Sequence, residues 1–184
     1  MRIIAGQLSG RIFEAPKGNR THPMSTRVMG GLFGILGDIE GLRVLDAFSG
    51  SGALAFEALS RGAEYVVALD RDKQAAHAVR EAAKALFRAP HEDLADKFEF
   101  HQMSAGVWSD QHPDEKFDLI LCDPPYDNMQ LSTVSKLVKH MKNTSVMVLS
   151  QPGRDHVSGI QGVVVVDNRS YGDAALVFYR LEGR

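Results

Sequence analysis

The chain contains one cysteine, no long apolar run and no closely spaced histidines. Cys122 alone excludes a disulfide framework and fits a reducing compartment. No apolar run approaches the length of about 18 residues that a membrane span needs. The seven histidines are scattered, with no two lying two to five residues apart, which gives a metal site little local support. We therefore expect a cytoplasmic protein that has neither a membrane anchor nor a metal.

Two common catalytic motifs are also missing. The sequence has neither the G-x-S-x-G elbow of serine hydrolases nor the G-x-x-x-x-G-K-[ST] loop that binds nucleoside triphosphates. Its charges are nearly balanced, with 21 Lys and Arg residues against 23 Asp and Glu residues. The average charge thus gives no sign of a nucleic-acid binder.

The first 30 residues depart from this balance. Their only acidic residue is Glu14, and their basic residues are Arg2, Arg11, Lys17, Arg20 and Arg27. A locally basic segment on a near-neutral body can contact the phosphates of a nucleic acid. We predict such contacts for Arg2, Arg11, Arg20 and Arg27.

At 184 residues the chain fits a single domain, residues 1–184. Residues 1–24 are expected to form an N-terminal extension, in which residues 2–15 make a β-hairpin that turns at Ser9-Gly10. Ser25 or Thr26 can cap a helix that runs to about Leu36. From Arg43 onward, strand and helix patterns alternate.

The alternating part predicts seven strands, at residues 43–48, 65–70, 98–103, 117–122, 145–150, 163–167 and 174–181. Helices are predicted at residues 52–60, 73–87 and 131–142. This order is typical of an α/β fold with a doubly wound, mostly parallel sheet of the Rossmann-like kind. In such sheets, ligands bind beyond the carboxyl ends of the strands.

A glycine-rich loop follows the first predicted strand and reads Asp46-Ala47-Phe48-Ser49-Gly50-Ser51-Gly52. Its glycines allow a tight turn and the close approach of a ligand to the backbone. Asp70 ends the second predicted strand, where a carboxylate can accept both hydroxyls of a ribose. The same residues match the dinucleotide pattern G-x-G-x-x-A, so the loop alone leaves NAD open as the cofactor. Asp46 favours S-adenosylmethionine, because an acid there suits the cationic amino-acid end of that cofactor.

The fourth predicted strand ends in Asp123-Pro124-Pro125-Tyr126. An exocyclic amine on a flat base is a poor nucleophile, because its lone pair is delocalised into the ring. A carboxylate and a carbonyl on a stiff proline run can hold its two hydrogens, and Tyr126 can stack on the base for about 1–3 kcal/mol. Asp-Pro is also an ordinary turn opener. Taken with the glycine loop, however, these four residues predict the catalytic part of a methyl-transfer site, for which a hydride-transfer enzyme has no use.

In this order the motifs resemble the RsmD family, bacterial methyltransferases that modify a guanine amine in small-subunit ribosomal RNA. The resemblance extends over nearly the whole chain, and its most family-specific parts are residues 2–6 and 59–63. It implies a class I methyltransferase fold, S-adenosylmethionine as cofactor, and the N2 amine of a guanine in 16S rRNA as the target.

The resemblance also implies which residues line the cofactor: Asp46, Phe48, Ser49, Gly50, Gly52, Asp70, Arg71, Ser104 and Ala105. The chain departs from the family pattern at Ser104, where an Asp usually meets the adenine amine, so looser adenine recognition is expected. It departs again in residues 22–30, where one arginine and two acids of the pattern are missing.

The substrate has alternatives at this point. The motif at Asp123–Tyr126 also serves DNA adenine-N6 methylation and, with Asn first, glutamine methylation of proteins. A catalytically silent RNA-binding assembly factor is a further alternative. A chain of 184 residues leaves no space for an added DNA-reading domain. We therefore expect a monomer that recognises ribosomal RNA in the small subunit by shape.

Overall fold

The computed structural model describes residues 1–16, 24–153 and 156–183. These residues form one sheet with helices on both faces. The strands are β1 (Arg43–Asp46), β2 (Tyr65–Leu69), β3 (Phe98–His101), β4 (Phe117–Cys122), β5 (Met141–Pro152), β6 (Val163–Tyr171) and β7 (Ala174–Leu181). The helices are α1 (Thr26–Leu36), α2 (Ala53–Ser60), α3 (Lys73–Leu86), α4 (Ala105–Gln111) and α5 (Leu131–Leu137), with short 3-10 helices at Glu92–Lys97 and Val138–His140. In the described part of the chain, no helix is long and apolar enough to cross a membrane.

The sheet has seven strands in the order β3-β2-β1-β4-β5-β7-β6. The first five strands of this order run parallel, while β7 pairs antiparallel with both β5 and β6. This confirms the predicted doubly wound, mostly parallel sheet. In this order β1 and β4 are neighbours, so the loops that follow them open at the same edge.

Alternate residues of the strands feed two separate apolar clusters. Val44 packs under α1, α2 and α3, whereas Leu45 faces α4 and α5 on the other side of the sheet. Leu119 and Ile120 of β4 divide in the same way. Because successive side chains of a strand point to opposite faces, an almost continuous apolar run is what a sheet covered on both sides requires.

The helices that follow β3 and β4 differ from the sequence prediction. Helix α4 was not predicted, because its seven residues are too few to show a helical period. The helix predicted at residues 131–142 ends at Leu137, and β5 begins at Met141. Met141 is buried and pairs with Phe117 of β4, so pairing within the sheet overrides the helix propensity of the local sequence.

The N-terminal arm (residues 1–13) is a short, irregular hairpin. Its ends pair antiparallel at the bridge between Arg2 and Ile12, and the Gly10 N–H continues this pairing by bonding the Ile3 carbonyl at 2.9 Å. Ser9-Gly10 lies in the turn, as predicted, while other backbone groups of the arm bond to α2.

Helix α2 holds the arm by hydrogen bonds that involve Glu57 and Ser60. The buried Glu57 carboxylate accepts the N–H groups of Ile4 (2.8 Å) and Ala5 (3.1 Å), and the Ser60 hydroxyl accepts from Leu8 N–H at 2.9 Å. Gly6 crosses the end of the helix with φ +81°, and a Cβ there would lie 1.7 Å from the Ser60 carbonyl oxygen. Only glycine therefore fits, and the arm is fixed to the helix that begins at the glycine loop.

Candidate functional site

Asp46 ends β1 and is fully buried. Its Oδ2 accepts the Ala55 N–H of α2 at 3.2 Å. Its Oδ1 has no hydrogen-bond partner among the described residues, and the same holds for the buried Ser49 Oγ. Because a buried polar atom without a partner is costly, these two atoms mark a place where a ligand can complete the bonding.

The charge state of Asp46 reflects this setting. Burial, followed by the charges of Asp123 and Asp70, raises the pKa of Asp46 to about 8, while N–H groups of Ala55 and Phe48 lower it. A cation placed at Asp46 would relieve both the desolvation and the repulsion. The group is therefore suited to a positively charged ligand.

The glycine loop brings the backbone up to this position. Gly50 and Gly52 have φ of +51° and +79°, and no atom lies within 4 Å of where a Gly50 Cβ would stand. Gly52 is the N-cap of α2 and supplies no side chain to the free N–H groups there. The loop thus leaves open space beside its backbone at Gly50.

Asp70 follows β2 and holds the glycine loop in place. Its Oδ2 accepts the Gly50 N–H at 2.8 Å, and its Oδ1 accepts the Asp72 N–H at 2.8 Å. Burial raises the pKa of Asp70, and these two N–H groups lower it. Each carboxylate oxygen can accept a second hydrogen bond, so the group can serve the loop and a ribose together.

The other residues predicted to line the cofactor lie around the same strand ends. Phe48 is partly buried and Arg71 is exposed. Ser104 caps α4, where its Oγ accepts the Val107 N–H at 3.4 Å, and Ala105 is buried at the start of that helix. The sequence prediction did not include this capping role, because it did not include α4.

The Asp-Pro-Pro-Tyr motif follows β4 directly. Asp123 is partly buried, and burial raises its pKa to about 6 against the lowering effect of a Ser150 hydrogen bond. Pro124 is buried and Pro125 is exposed, and the Pro125 carbonyl accepts the Asn128 N–H at 2.9 Å, which closes the turn. Tyr126 is 42% exposed at the mouth of the crevice.

Ser150 is a site residue that the sequence prediction missed. It lies near the carboxyl end of β5, buried, with its Oγ 2.9 Å from the Tyr126 hydroxyl. A polar residue near the end of an apolar strand next to the motif strand was the available signal, but nothing in the sequence assigned β5 to that place.

Three of the four predicted phosphate contacts lie in the described residues. Arg2 and Arg27 are exposed and Arg11 is partly exposed, on the arm and on α1. The arm and α1 pack into the same apolar cluster, so these arginines lie on neighbouring elements. Arg20 lies outside the described residues.

The residues at the strand ends fit S-adenosylmethionine. The unpartnered Asp46 Oδ1 suits its amino group, the open backbone at Gly50 admits the methionine end, and Asp70 is placed for a ribose. Within residues 1–16, 24–153 and 156–183, no group of three or more His, Cys, Asp or Glu side chains could hold a metal ion.

Known proteins resemble the chain over its full length. The model of the family described as "Conserved hypothetical protein 95" matches residues 1–180. YlbH of Bacillus subtilis is 28% identical over 188 residues, which cover 100% of both chains. Ribosomal RNA small subunit methyltransferase D of Haemophilus influenzae is 30% identical over 142 residues, covering 76% of this chain and 72% of its own.

A solved structure matches the fold closely. The Escherichia coli protein yhhF superposes with a TM-score of 0.82 at 23% identity, covering 100% of this chain and 99% of its own. The family match, the names of the relatives and the fit of the strand-end residues to S-adenosylmethionine all indicate a methyltransferase. The chain belongs to the RsmD family of S-adenosylmethionine-dependent methyltransferases.

Proposed function

We propose that this protein methylates the exocyclic N2 amine of a guanine in the 16S ribosomal RNA of the small subunit. The observation that carries the proposal is the meeting of Asp46 and Asp123 at the carboxyl ends of the paired strands β1 and β4. Burial, and next the charge of Asp123, raise the pKa of Asp46, which indicates how near the two carboxyls are. A group suited to the methyl donor and a group suited to an amine thus share one crevice.

The chain's own residues position the attacking amine. S-adenosylmethionine, when bound, supplies a methyl group that its sulfonium already activates for displacement. Asp123 and the Pro124 carbonyl accept the two amine hydrogens and draw the nitrogen towards tetrahedral geometry, while Tyr126 stacks on the base. Positioning of this kind supplies most of the rate when the transferred group needs no further activation.

Asp123 also has a pKa suited to the end of the reaction. Burial raises that pKa to about 6, which leaves the carboxylate ionised at neutral pH. The methylated nitrogen is acidic immediately after transfer and must lose a proton. Asp123, already bonded to that nitrogen, accepts it.

We assign the binding of the methyl donor to residues at and after the ends of β1, β2 and β3. Asp46 receives the amino group of the methionine end and Asp70 the ribose. The remaining contacts are assigned to Phe48, Ser49, Gly50, Gly52, Arg71, Ser104 and Ala105.

The RNA contacts are assigned to the basic residues of the first 30. Arg2, Arg11 and Arg27 present charge on the arm and α1, and Arg20 is included from the sequence. The name of the Haemophilus influenzae relative, which gives it as acting on small-subunit ribosomal RNA, supports this substrate. We further propose that residues 1–184 form one methyltransferase domain, with 1–24 as its extension, and that it works in the cytoplasm as a monomer without a metal.

The test replaces the amine acceptor. Asp123→Ala removes the carboxylate that holds the amine, so methyl transfer should fall by at least about a hundredfold, as for loss of a positioned catalytic group. S-adenosylmethionine binding, measured by titration calorimetry, should change little. Asp127→Ala, an exposed carboxylate in the same loop, is the matched control and should stay near wild type. Full activity in Asp123→Ala would overturn the assignment.

A further inference from the structure

Ser150 holds the two halves of the amine-binding motif together. It lies on β5, whose Leu149 is in register with Cys122 of β4, so the next residue comes level with Asp123. Its side chain is buried, at 2% exposure, directly after the apolar run of residues 146–149. A serine there requires hydrogen-bond partners, and the partners it has are both site residues.

The directions of the two hydrogen bonds follow from counting hydrogens. Ser150 Oγ lies 2.9 Å from the Tyr126 hydroxyl, and it is near enough to the Asp123 carboxyl that hydrogen bonding between them lowers the pKa of Asp123. An ionised carboxylate only accepts, and a serine hydroxyl has one hydrogen. Ser150 therefore donates to Asp123 and accepts from Tyr126. The result is a directed chain from the Tyr126 hydroxyl through Ser150 to Asp123.

We propose that Ser150 is a positioning residue for methyl transfer, which ties the stacking ring of Tyr126 to the acceptor carboxylate of Asp123. Tyr126 is 42% exposed and stands on a loop, where an unbonded ring would turn freely about its side-chain torsions. The bond to Ser150 sets the ring at one distance from Asp123. A base stacked on that ring then brings its amine to the carboxylate rather than past it.

The same chain of hydrogen bonds favours the ionised form of Asp123, which the reaction needs. A protonated Asp123 carries a donor hydrogen on one oxygen and loses an acceptor for the amine. Burial raises the pKa of Asp123, and the Ser150 bond opposes that rise. Loss of the Ser150 hydroxyl should therefore move the acid limb of the pH–rate profile upward. The shift should be about one pH unit, the size expected for one hydrogen bond to a charged group.

The test compares four variants at saturating S-adenosylmethionine across pH 5 to 9. Ser150→Ala should show the acid limb raised by about one unit and at least about tenfold slower single-turnover transfer at pH 6.5. Ser150→Thr keeps the hydroxyl and should restore both. Tyr126→Phe keeps the Ser150–Asp123 bond, so it should slow transfer without moving the acid limb. Ser145→Ala removes a buried serine at the other end of β5 and should change neither.

A readout without substrate separates this inference from the proposed function on which it rests. Carbon-13 NMR titration of the carboxyl groups should give a higher pKa for Asp123 in Ser150→Ala than in wild type, whether or not any RNA is methylated. An unchanged Asp123 titration in Ser150→Ala would overturn the inference. Equal loss of activity at every pH, unrelieved by Ser150→Thr, would also overturn it and leave Ser150 a structural residue. Absence of transfer by the wild-type enzyme to any RNA would instead count against the proposed function.

Discussion

At Asp46, the same features that favour a cationic ligand destabilise the fold when no ligand is bound. It is fully buried, one of its oxygens has no partner among the described residues, and two further carboxyls, Asp70 and Asp123, lie near enough to repel it. A cationic ligand removes all three penalties at once. Without the ligand, Asp46 keeps a proton up to about pH 8, since its pKa is raised to about that value.

This conflict predicts an unusual pH dependence of stability. Burial and then the neighbouring carboxyls raise the folded-state pKa of Asp46 to about 8, so between about pH 4 and pH 8 the folded state binds a proton that the unfolded state releases. The proton on Asp46 therefore adds to the free energy of unfolding at low pH, and this contribution is lost as the pH rises through 8. From pH 5.5 to pH 8.5 it amounts to about 3 kcal/mol.

Asp46→Asn should remove that dependence. In urea unfolding without cofactor, the variant should gain stability relative to wild type, and the gain should be larger at pH 8.5 than at pH 5.5. Its affinity for S-adenosylmethionine should fall, because the amide has no charge for the amino group. An equal difference between the two proteins at both pH values would contradict the assigned pKa.

Helix α1 shows at the scale of an element why a glycine-rich helix is stable here. Ser25 caps it, as predicted, by accepting the Val28 N–H. Its glycines divide into two kinds. A Cβ on Gly31 would lie 2.4 Å from the Tyr171 hydroxyl oxygen, whereas nothing lies within 4 Å of a Cβ on Gly34. The first glycine admits a side chain from the end of β6, and the second has no such role.

These two glycines make a matched pair for mutation. Gly34→Ala should raise the free energy of unfolding by about 1 kcal/mol through helix propensity alone. Gly31→Ala has the same propensity gain but must displace the Tyr171 ring, which packs on the apolar cluster under α1, α2 and α3. It should be less stable than Gly34→Ala by more than about 1 kcal/mol. Equal stabilisation of the two variants in chemical unfolding would show that the helix does not pack on Tyr171.

Elements with strong local signals were predictable, and those decided by tertiary contacts were not. The bounds of β4 and the capped start of α1 agree with the prediction because apolar pattern and N-cap chemistry act locally. The hairpin of the arm was predicted because its turn signal is local. Its position on α2 was not predicted, because that depends on Glu57, some fifty residues away in sequence, which accepts two N–H groups of the arm. A contact of that range leaves no local mark in the sequence.

The same division applies to the site. The strand-end positions of Asp46, the glycine loop, Asp70 and the Asp123 motif could be predicted, because each comes at the end of an apolar strand and has its own chemical signature. The position of Ser150 beside Tyr126 could not, because it depends on β5 lying beside β4. The sheet order had to be known before that serine could be placed next to the motif.

At the scale of the whole molecule, the arm links the basic residues of the first 30 to the glycine loop. Glu57 and Ser60 hold the arm on α2, and α2 begins at Gly52 of the loop. Arg61, paired with Glu57 at 2.7 Å, also stacks over Phe33 of α1 at 4.8 Å. The segments that carry Arg2, Arg11 and Arg27 are thus fixed to the element that opens the cofactor site.

This arrangement predicts how the basic residues act. Replacing Arg2, Arg11 and Arg27 by Ala should weaken ribosomal RNA binding and lower the slope of log K against log salt by about 0.7–0.9 for each phosphate that is no longer neutralised. S-adenosylmethionine affinity should not change. Arg180→Ala is the control, because this exposed arginine lies at the end of β7 away from Ala174, which pairs with Tyr171 beside α1. A salt slope that stays at the wild-type value in the triple variant would remove the arm from the RNA interface.

The most direct measurement offers tritiated S-adenosylmethionine with 16S ribosomal RNA, small ribosomal subunits, DNA and a release factor in parallel. Nuclease digestion and chromatography of the labelled substrate then identify the base and the atom. We predict label in N2-methylguanosine from small-subunit RNA, and its loss with Asp123→Ala. Label in DNA adenine or in a glutamine side chain, or RNA binding without any transfer, would contradict the proposed function.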